Sequence, residues 1–379
     1  MNSQDSHLAP NLLGLSAAEL REFVQALSEP AYRGAQIYHA LYAERRRDFA
    51  GMSNLPAALR QRLESKARIT LPQIRRTYPS SDGTIRYVLG LDPPRNSGTG
   101  RDEKPATIET VFMPEEKRQT ICISTQAGCA VDCGFCLTAT LGLIRNLAAG
   151  EIIGQVMVVL EENCAELKPQ TNVVLMGQGE PLLNFEAVMA ALRILMDPAG
   201  IGISPKHVTL STSGIIPGIE RLAQEKVRPK LAISLNASTN EQRDRIMQIN
   251  KKYPIESLLE VCRNYPLRPW EKVTFEYVLL GGFNDAPEDA RRVVRLLSHL
   301  RAKVNLIPWN PGELPFEKPE VARVEEFRKI LAEKGVAVFV RYSRGQDVMA
   351  ACGQLALLES TMPANSITQI SATHNASAL

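Results

Sequence analysis

Cys129, Cys133 and Cys136 fall within eight positions of a 379-residue chain that holds seven cysteines. Thiolates this closely spaced suit a soft metal or an iron–sulfur cluster better than a disulfide. Three ligands leave one coordination position open, and an open position is where a substrate binds. A closed zinc site needs a fourth ligand, and no further Cys or His follows at ligand spacing. Downstream, Gly177-Gln178-Gly179-Glu180-Pro181 joins glycines, which let a ligand approach the backbone, to a carboxylate that satisfies an ammonium. Ser211, Ser234, Asn236 and Asn310 end later apolar runs and, taken singly, read as strand-end caps. Cys122 precedes the cysteine run, and Cys352 sits among small residues in Ala350-Ala351-Cys352-Gly353. An isolated cysteine is ordinarily a small buried hydrophobe. Cys164 and Cys262 lie in helical patterns and read as core, and His39 and His207 have no ligand or triad spacing.

The elements that must position these groups follow from periodicity. Ser16-Ala17-Ala18-Glu19 is a capping box ahead of Leu20, Phe23, Val24 and Leu27, and predicts a helix within 11–28. A second helix is predicted over 33–46, with Ile37, Leu41 and Tyr42 as its stripe. A third follows Asn54-Leu55-Pro56, carrying Leu59 and Leu63 beside Arg60, Arg62, Lys66 and Arg68. Residues 1–80 thus read as a small N-terminal helical domain. Between 41 and 86, ten Lys/Arg stand against four Asp/Glu in a chain of net charge +3. That imbalance fits either RNA docking or an ordinary solvated helix face. Residues 81–118 read as a β-hairpin linker, with strands near 84–89 and 107–113 around a flexible polar loop at 93–104.

From 119 to 356, predicted strands at 120–125, 172–176, 207–212, 231–235, 273–279, 303–309 and 337–342 alternate with helices near 150–165, 185–196, 215–225, 255–265, 286–300 and 322–334. The fold class is therefore α/β, a partial parallel (β/α)6 barrel with chemistry at the C-terminal strand ends. The cysteine run follows the first of those strands. Residues 357–379, rich in Ser, Ala, Thr and Asn, are expected to be disordered. Hydrophobic residues at 44% and charged residues at 22% suit a globular enzyme. The absence of a long apolar run or a leader, with an odd cysteine count, points to a cytoplasmic protein without a membrane span.

Cys-x3-Cys-x2-Cys with Phe135 before the last cysteine resembles the signature of radical S-adenosylmethionine (radical SAM) enzymes. The resemblance implies a [4Fe–4S] cluster held by Cys129, Cys133 and Cys136, with SAM bound to the fourth iron. Gly179 and Glu180 would receive the SAM amino group, and Ser211, Ser234, Leu235, Asn236 and Asn310 would contact SAM. Over about 10–355 the chain resembles the RlmN/Cfr family of RNA methyltransferases. That match rests on Asn54-Leu55-Pro56, Ile108-Glu109-Thr110-Val111, residues 129–136, 176–184 and 231–236, Gly281-Gly282-Phe283-Asn284-Asp285, Arg344-Gly345-Gln346-Asp347 and residues 351–355. One departure is Gln178, where the family pattern suggests methionine.

The resemblance implies methylation of adenine carbon 2 in 23S rRNA, on protein-free or partly assembled RNA, with the adenine beside the tRNA anticodon as a second target. Carbon 2 is electron-poor, so direct attack on SAM cannot methylate it. By resemblance, one SAM methylates Cys352 and a second supplies the radical that activates that methyl group. Cys122 then releases the product through a transient disulfide with Cys352, and Glu109 accepts the carbon-bound proton. An electron donor such as flavodoxin and a monomeric state are expected. Carbon-8 methylation, as in the Cfr group, and a non-catalytic iron–sulfur RNA sensor remain open alternatives.

Overall fold

Ser16 caps the first helix through a reciprocal pair: its hydroxyl accepts from the Glu19 amide at 3.2 Å, and the Glu19 carboxylate accepts the Ser16 amide at 2.7 Å. In the computed structural model, which describes residues 9–92, 106–311 and 314–355, this helix is α1 (Ala17–Ala26). It packs with α2 (Tyr32–Tyr42) and α3 (Ala57–Lys66) through Leu20, Val24, Ile37, Leu41, Leu59 and Leu63. The first lies within its predicted span, and the second is shorter than predicted. The second ends at Tyr42 because Arg45 adopts φ 56°, outside the helical region. Arg46, Arg47, Arg62 and Lys66 are exposed around this bundle. Gly14 (φ +98°) lies so close to the barrel that a Cβ there would come within 2.3 Å of the Gly150 amide nitrogen, so only glycine permits this approach.

Three antiparallel strands follow: β1 (Gln73–Pro79), β2 (Ile85–Leu91) and β3 (Ala106–Pro114). β1 is absent from the sequence reading, since Arg75 and Arg76 interrupt the alternation there. The predicted hairpin forms, but it is not a free linker. β3 pairs antiparallel with β4 (Arg118–Cys122), setting Val111 opposite Cys122. The hairpin is thus the antiparallel edge of the barrel sheet. The predicted loop at 93–104 and the tail at 357–379 lie outside the described residues, apart from Pro93's neighbour Asp92 at the loop's start.

After β4 come β5 (Gln126–Gly128), α4 (Leu137–Thr140) and β6 (Leu143–Asn146), a short hairpin around the cysteine loop. Then α5 (Ala149–Glu162), β7 (Gln170–Leu175), α6 (Phe185–Met196), β8 (Val208–Thr212), α7 (Ile216–Ala223) and β9 (Lys230–Ser234) alternate. They continue as α8 (Asn240–Ile246), α9 (Ile255–Asn264), β10 (Val273–Leu279), α10 (Pro287–Leu297), β11 (Ala302–Pro308), α11 (Val321–Glu333) and β12 (Ala337–Val340). The ten-stranded sheet runs β1-β2-β3-β4-β7-β8-β9-β10-β11-β12, parallel from β4 onward. The seven parallel strands match the predicted six units and a terminal strand.

Each parallel strand has two unlike faces. Ile121, Val173, Leu210, Leu231, Ile233, Phe275, Val304 and Leu306 are fully buried against the helices and form the core. The intervening Asn172, Thr209, Lys230, Ser234, Lys303 and Asn305 are polar and belong to the concave face. Cys164 corrects its predicted core placement: α5 stops at Glu162, so this thiol lies on the following turn and is exposed, whereas Cys262 is buried in α9.

Gln155 on α5 locks the strands that carry the site. Its Oε1 accepts from Thr110 Oγ1 at 2.7 Å and from the Ser124 amide at 2.8 Å, and its Nε2 donates to the Ser124 carbonyl at 2.9 Å. Gln155→Leu leaves these groups buried without partners, and is expected to lower unfolding free energy by about 2–4 kcal/mol in chemical denaturation.

Candidate active site

The cysteine loop starts where β4 and β5 end, and its shape is set by backbone constraints. Gly128 (φ +72°) faces the Gly142 carbonyl so closely that a Cβ would overlap it, and Asp132 takes φ 54° between the first two cysteines. The Gly134 amide donates to the Ile246 carbonyl at 2.9 Å, and Cys133 pairs with Met247, so the end of α8 pins the loop. The three thiols line one cleft, partly open to solvent, with Gly179, Glu180, Ser211, Ser213, Ser234, Asn236, Glu276, Asn310 and Cys352. Among the described residues, no three Cys, His, Asp or Glu side chains converge as around one metal ion. A four-iron cluster instead needs thiolates spread around its corners, which three cysteines on one wall provide. Burial pushes the Cys129 thiol up to about 11 and that of Cys133 well above its ordinary value. A thiolate there needs a bound cation to offset its desolvation.

Most of the residues expected to contact the cofactor stand at the C-terminal strand ends. Gly179 (φ +99°) crosses Gln126, whose Cβ would stand 2.5 Å from an added Cβ. Glu180 is buried; its Oε1 accepts from the Leu182 amide at 3.0 Å, and its Oε2 from the Ser213 amide at 2.7 Å and hydroxyl at 2.8 Å. Burial raises its pKa while these donors oppose the rise. An ionised carboxylate at the cleft wall can also pair with an ammonium. The residues therefore fit SAM and a three-cysteine cluster. Leu235 is the exception among the predicted contacts: its side chain is fully buried, and its amide donates to the Glu276 carbonyl at 3.0 Å.

The chain around Cys352 packs against Cys122. Cys122, at the end of β4, packs in one apolar cluster with Val348, Ala350 and Leu355 from the Cys352 segment. Burial first, and then the neighbouring Cys352 thiol, push the Cys122 pKa far up. Cys352 has accessible surface but stands inside the cleft, where burial and then Glu276 raise its thiol to about 11. Its segment is stitched to the cysteine loop by Leu137 N–H to the Gly353 carbonyl (2.8 Å) and Thr138 Oγ1 to the Leu355 carbonyl (2.6 Å). Asn310 reaches both Ser343 Oγ (2.8 Å) and the Cys352 carbonyl (3.4 Å).

Glu109 overturns the usual expectation of a solvent-facing strand carboxylate. It is fully buried, ion-paired with buried Arg86, and receives Gln178 Nε2 at 3.2 Å. It is not among the residues lining the cleft. Arg86 therefore leaves the solvated basic set of residues 41–86 and serves inside the fold. Gln178, the departure from the family pattern, touches the predicted base directly.

Two residues escape the sequence reading. Arg243 on α8 is fully buried and donates to the carbonyls of Leu235 (3.0 Å), Ser213 (2.6 Å) and Ser234 (3.0 Å). No local periodicity marks it. Glu276 on β10 was legible, because Val273-Thr274-Phe275-Glu276 alternates and sends a carboxylate to the concave face. Its Oε1 accepts from Asn305 Nδ2 at 2.9 Å, and burial pushes its pKa up to about 7 against the opposing Asn305, Arg341 and Lys303.

Known proteins resemble this arrangement along nearly the whole chain. Residues 123–297 match the radical SAM superfamily model, and residues 10–69 match a ribosomal RNA large subunit methyltransferase N-terminal domain. A probable dual-specificity RNA methyltransferase RlmN from Koribacter versatilis is 46% identical over 350 residues, covering 88% of this chain and 97% of that protein. The dual-specificity RNA methyltransferase RlmN of Anaeromyxobacter dehalogenans is 44% identical over 92% of each chain. A radical SAM methyltransferase from Sphaerobacter thermophilus superposes with a TM-score of 0.83 at 40% identity, covering 91% of this chain and 99% of that one.

The raised Glu276 pKa sets a pH dependence. The folded protein holds this proton more tightly than the unfolded chain, so the group's stabilising contribution is full below about 4.5 and is lost as pH rises through about 7. Glu276→Gln keeps the acceptor for Asn305 and cannot ionise. In urea titrations it is expected to be more stable than wild type at pH 8, by up to about 3 kcal/mol, with the difference vanishing near pH 4.

Proposed function

Because the chain belongs to the RlmN family of dual-specificity RNA methyltransferases, within the radical SAM superfamily, we propose that it methylates carbon 2 of one adenine in 23S rRNA and of the adenine beside the tRNA anticodon, with Cys352 as methyl carrier. The chain is a radical SAM RNA methyltransferase. The observation that carries the finer reading is spatial: Cys352 lines the same cleft as Cys129, Cys133, Cys136 and Glu180, and its segment packs on Cys122.

Cys129, Cys133 and Cys136 would hold three irons of a [4Fe–4S] cluster, and Glu180 would pair with the SAM ammonium. When bound, this pair supplies a radical able to take hydrogen from a thioether methyl group. The protein's own work is placement. Cys352 presents the methyl group inside the cleft, where Gly353 and Ala351 leave room for a base. Glu109 lies on β3 two residues from Val111, the register partner of Cys122, and Arg86 favours its ionised form. It is the candidate acceptor of the carbon-2 proton. The Cys122 thiolate then attacks the Cys352 sulfur: the S–S bond forms, the S–C bond to the product breaks, and the released carbon takes up a proton. Cellular thiols reduce the disulfide. An electron donor such as flavodoxin serves the cluster, and the enzyme acts as a cytoplasmic monomer.

Family membership favours carbon 2 over carbon 8, and an enzyme over a non-catalytic sensor. Cys122→Ala is expected to accumulate a covalent protein–RNA adduct through Cys352 during turnover, visible as an RNA-shifted band whose crosslinked peptide contains Cys352. Undiminished release of 2-methyladenosine by this variant would remove Cys122 from the mechanism, and 8-methyladenosine in the product would overturn the carbon-2 assignment.

A further inference from the structure

The concave face of the sheet is more than a wall behind the cleft. Ser234 and Ile307 line the cleft. Strand alternation puts Lys230 on the same face four residues before Ser234, and Lys303 on the same face four residues before Ile307, each about 13 Å along its strand. Phe339 pairs with Asn305 in the β11–β12 register, and the Arg341 amide donates to the Leu306 carbonyl at 2.8 Å, which sets Arg341 beside Ile307 at the cleft rim. Three strands thereby aim Lys230, Lys303 and Arg341 into one space. The cations sense one another: burial first, then Lys303, with Arg118 and Arg341 adding, lowers the pKa of Lys230, and burial followed by Arg341 lowers that of Lys303.

Among the described residues, none of these three has a carboxylate at ion-pair distance. The nearby acids are engaged elsewhere, Glu271 with Arg268 at 3.4 Å and Glu276 with Asn305. Arg118, at the edge of the group, is held by Glu115. Glu271 and Glu276 offset part of this charge from a distance, Glu271 for Lys230 and Glu276 for Lys303, but these cations, gathered without a direct ion pair, still favour a bound anion. Beside them Phe339 is 49% exposed, with the Arg341 guanidinium 5.9 Å from its ring centre. Cations spaced along a groove beside an exposed aromatic ring are the elements of a single-strand nucleic-acid track.

We propose that this concave face, through Lys230, Lys303, Arg341 and Phe339, holds the phosphates and a stacked base of the RNA strand flanking the adenine in the cleft. The assignment rests on the RNA-methyltransferase reading. A target adenine must leave its stack to reach the cleft, and the flanking strand then needs a hold outside the duplex geometry. The exposed arginines of the N-terminal bundle lie on another part of the molecule and would contact RNA farther from the target.

The test uses the full chain and a single-stranded RNA containing the target adenine, with affinity followed by fluorescence anisotropy across salt concentrations. Lys230→Gln/Lys303→Gln is expected to weaken binding about tenfold or more, and to flatten the slope of log affinity against log salt by about 1.4, for two lost phosphate contacts on a single strand. Phe339→Ala is expected to weaken binding with the slope unchanged. Lysine acetylation of the wild-type protein provides a readout independent of any variant's folding: RNA should protect Lys230 and Lys303. Equal acetylation with and without RNA, or an unchanged salt slope in the folded double variant, overturns the proposal while leaving methylation intact. RNA that protects both lysines yet gains no methyl group would instead refute the RNA-methyltransferase reading.

Discussion

One buried guanidinium holds the catalytic rim together. Arg243 is a charge without solvent, and a buried charge is tolerable only when its donors are satisfied. Its donors go to the carbonyls of Ser213, Ser234 and Leu235, with Nη1 to Asn250 Oδ1 at 3.0 Å. These carbonyls lie at the ends of β8 and β9, where Ser211, Ser213, Ser234 and Asn236 line the cleft. The helix bearing Arg243 also ends at Ile246, whose carbonyl receives Gly134 from the cysteine loop. The same side chain therefore ties the cofactor rim to the loop carrying the three cysteines. Burial lowers its pKa to about 10, and it remains cationic at neutral pH.

The Cys352 segment meets this rim from the far end of the chain, and polar contacts join its apolar cluster with Cys122 in holding it there. Arg344 donates to the Pro114 and Asp82 carbonyls, and the Asp82 carboxylate accepts the Gly345 amide at 3.0 Å. Ser80 Oγ donates to Asp347 at 2.5 Å. Although partial burial acts against ionisation of Asp82, hydrogen bonds from Thr84, Gly345 and Ser80 hold its carboxyl well below the usual range. The antiparallel edge of the sheet is thus the dock for the loop that carries Cys352. Gly345 (φ 63°), Met349 (φ 52°) and Gly353 (φ 80°) give that loop its tight course.

Much of this was readable before any coordinates, and for identifiable reasons. The parallel strands are short segments rich in apolar and β-branched residues and bounded by turn residues, and all seven appear within a few residues of their predicted places. The cysteine spacing and the Gly-Gln-Gly-Glu-Pro turn are local, so they carried their chemistry in the sequence. Failures came where tertiary context decides. β1 has little alternation, because its register against β2 shifts at Arg75, between Ile74 and Arg76. Arg86 counts toward a basic surface by composition, yet it is consumed by Glu109 inside the protein. Arg243 has no local signature because its partners come from three other segments. Gln178 read as a harmless departure in a turn, and only the fold reveals its contact with Glu109.

The account stands on Cys352 as the site where the methyl group rests before transfer. Mass spectrometry of the Cys352 peptide, from protein expressed with SAM and reconstituted anaerobically, tests this most directly. The account predicts a peptide heavier by one methyl group on the Cys352 sulfur, with that group lost to RNA in a single turnover. An unmodified Cys352 in protein that still methylates RNA would contradict it.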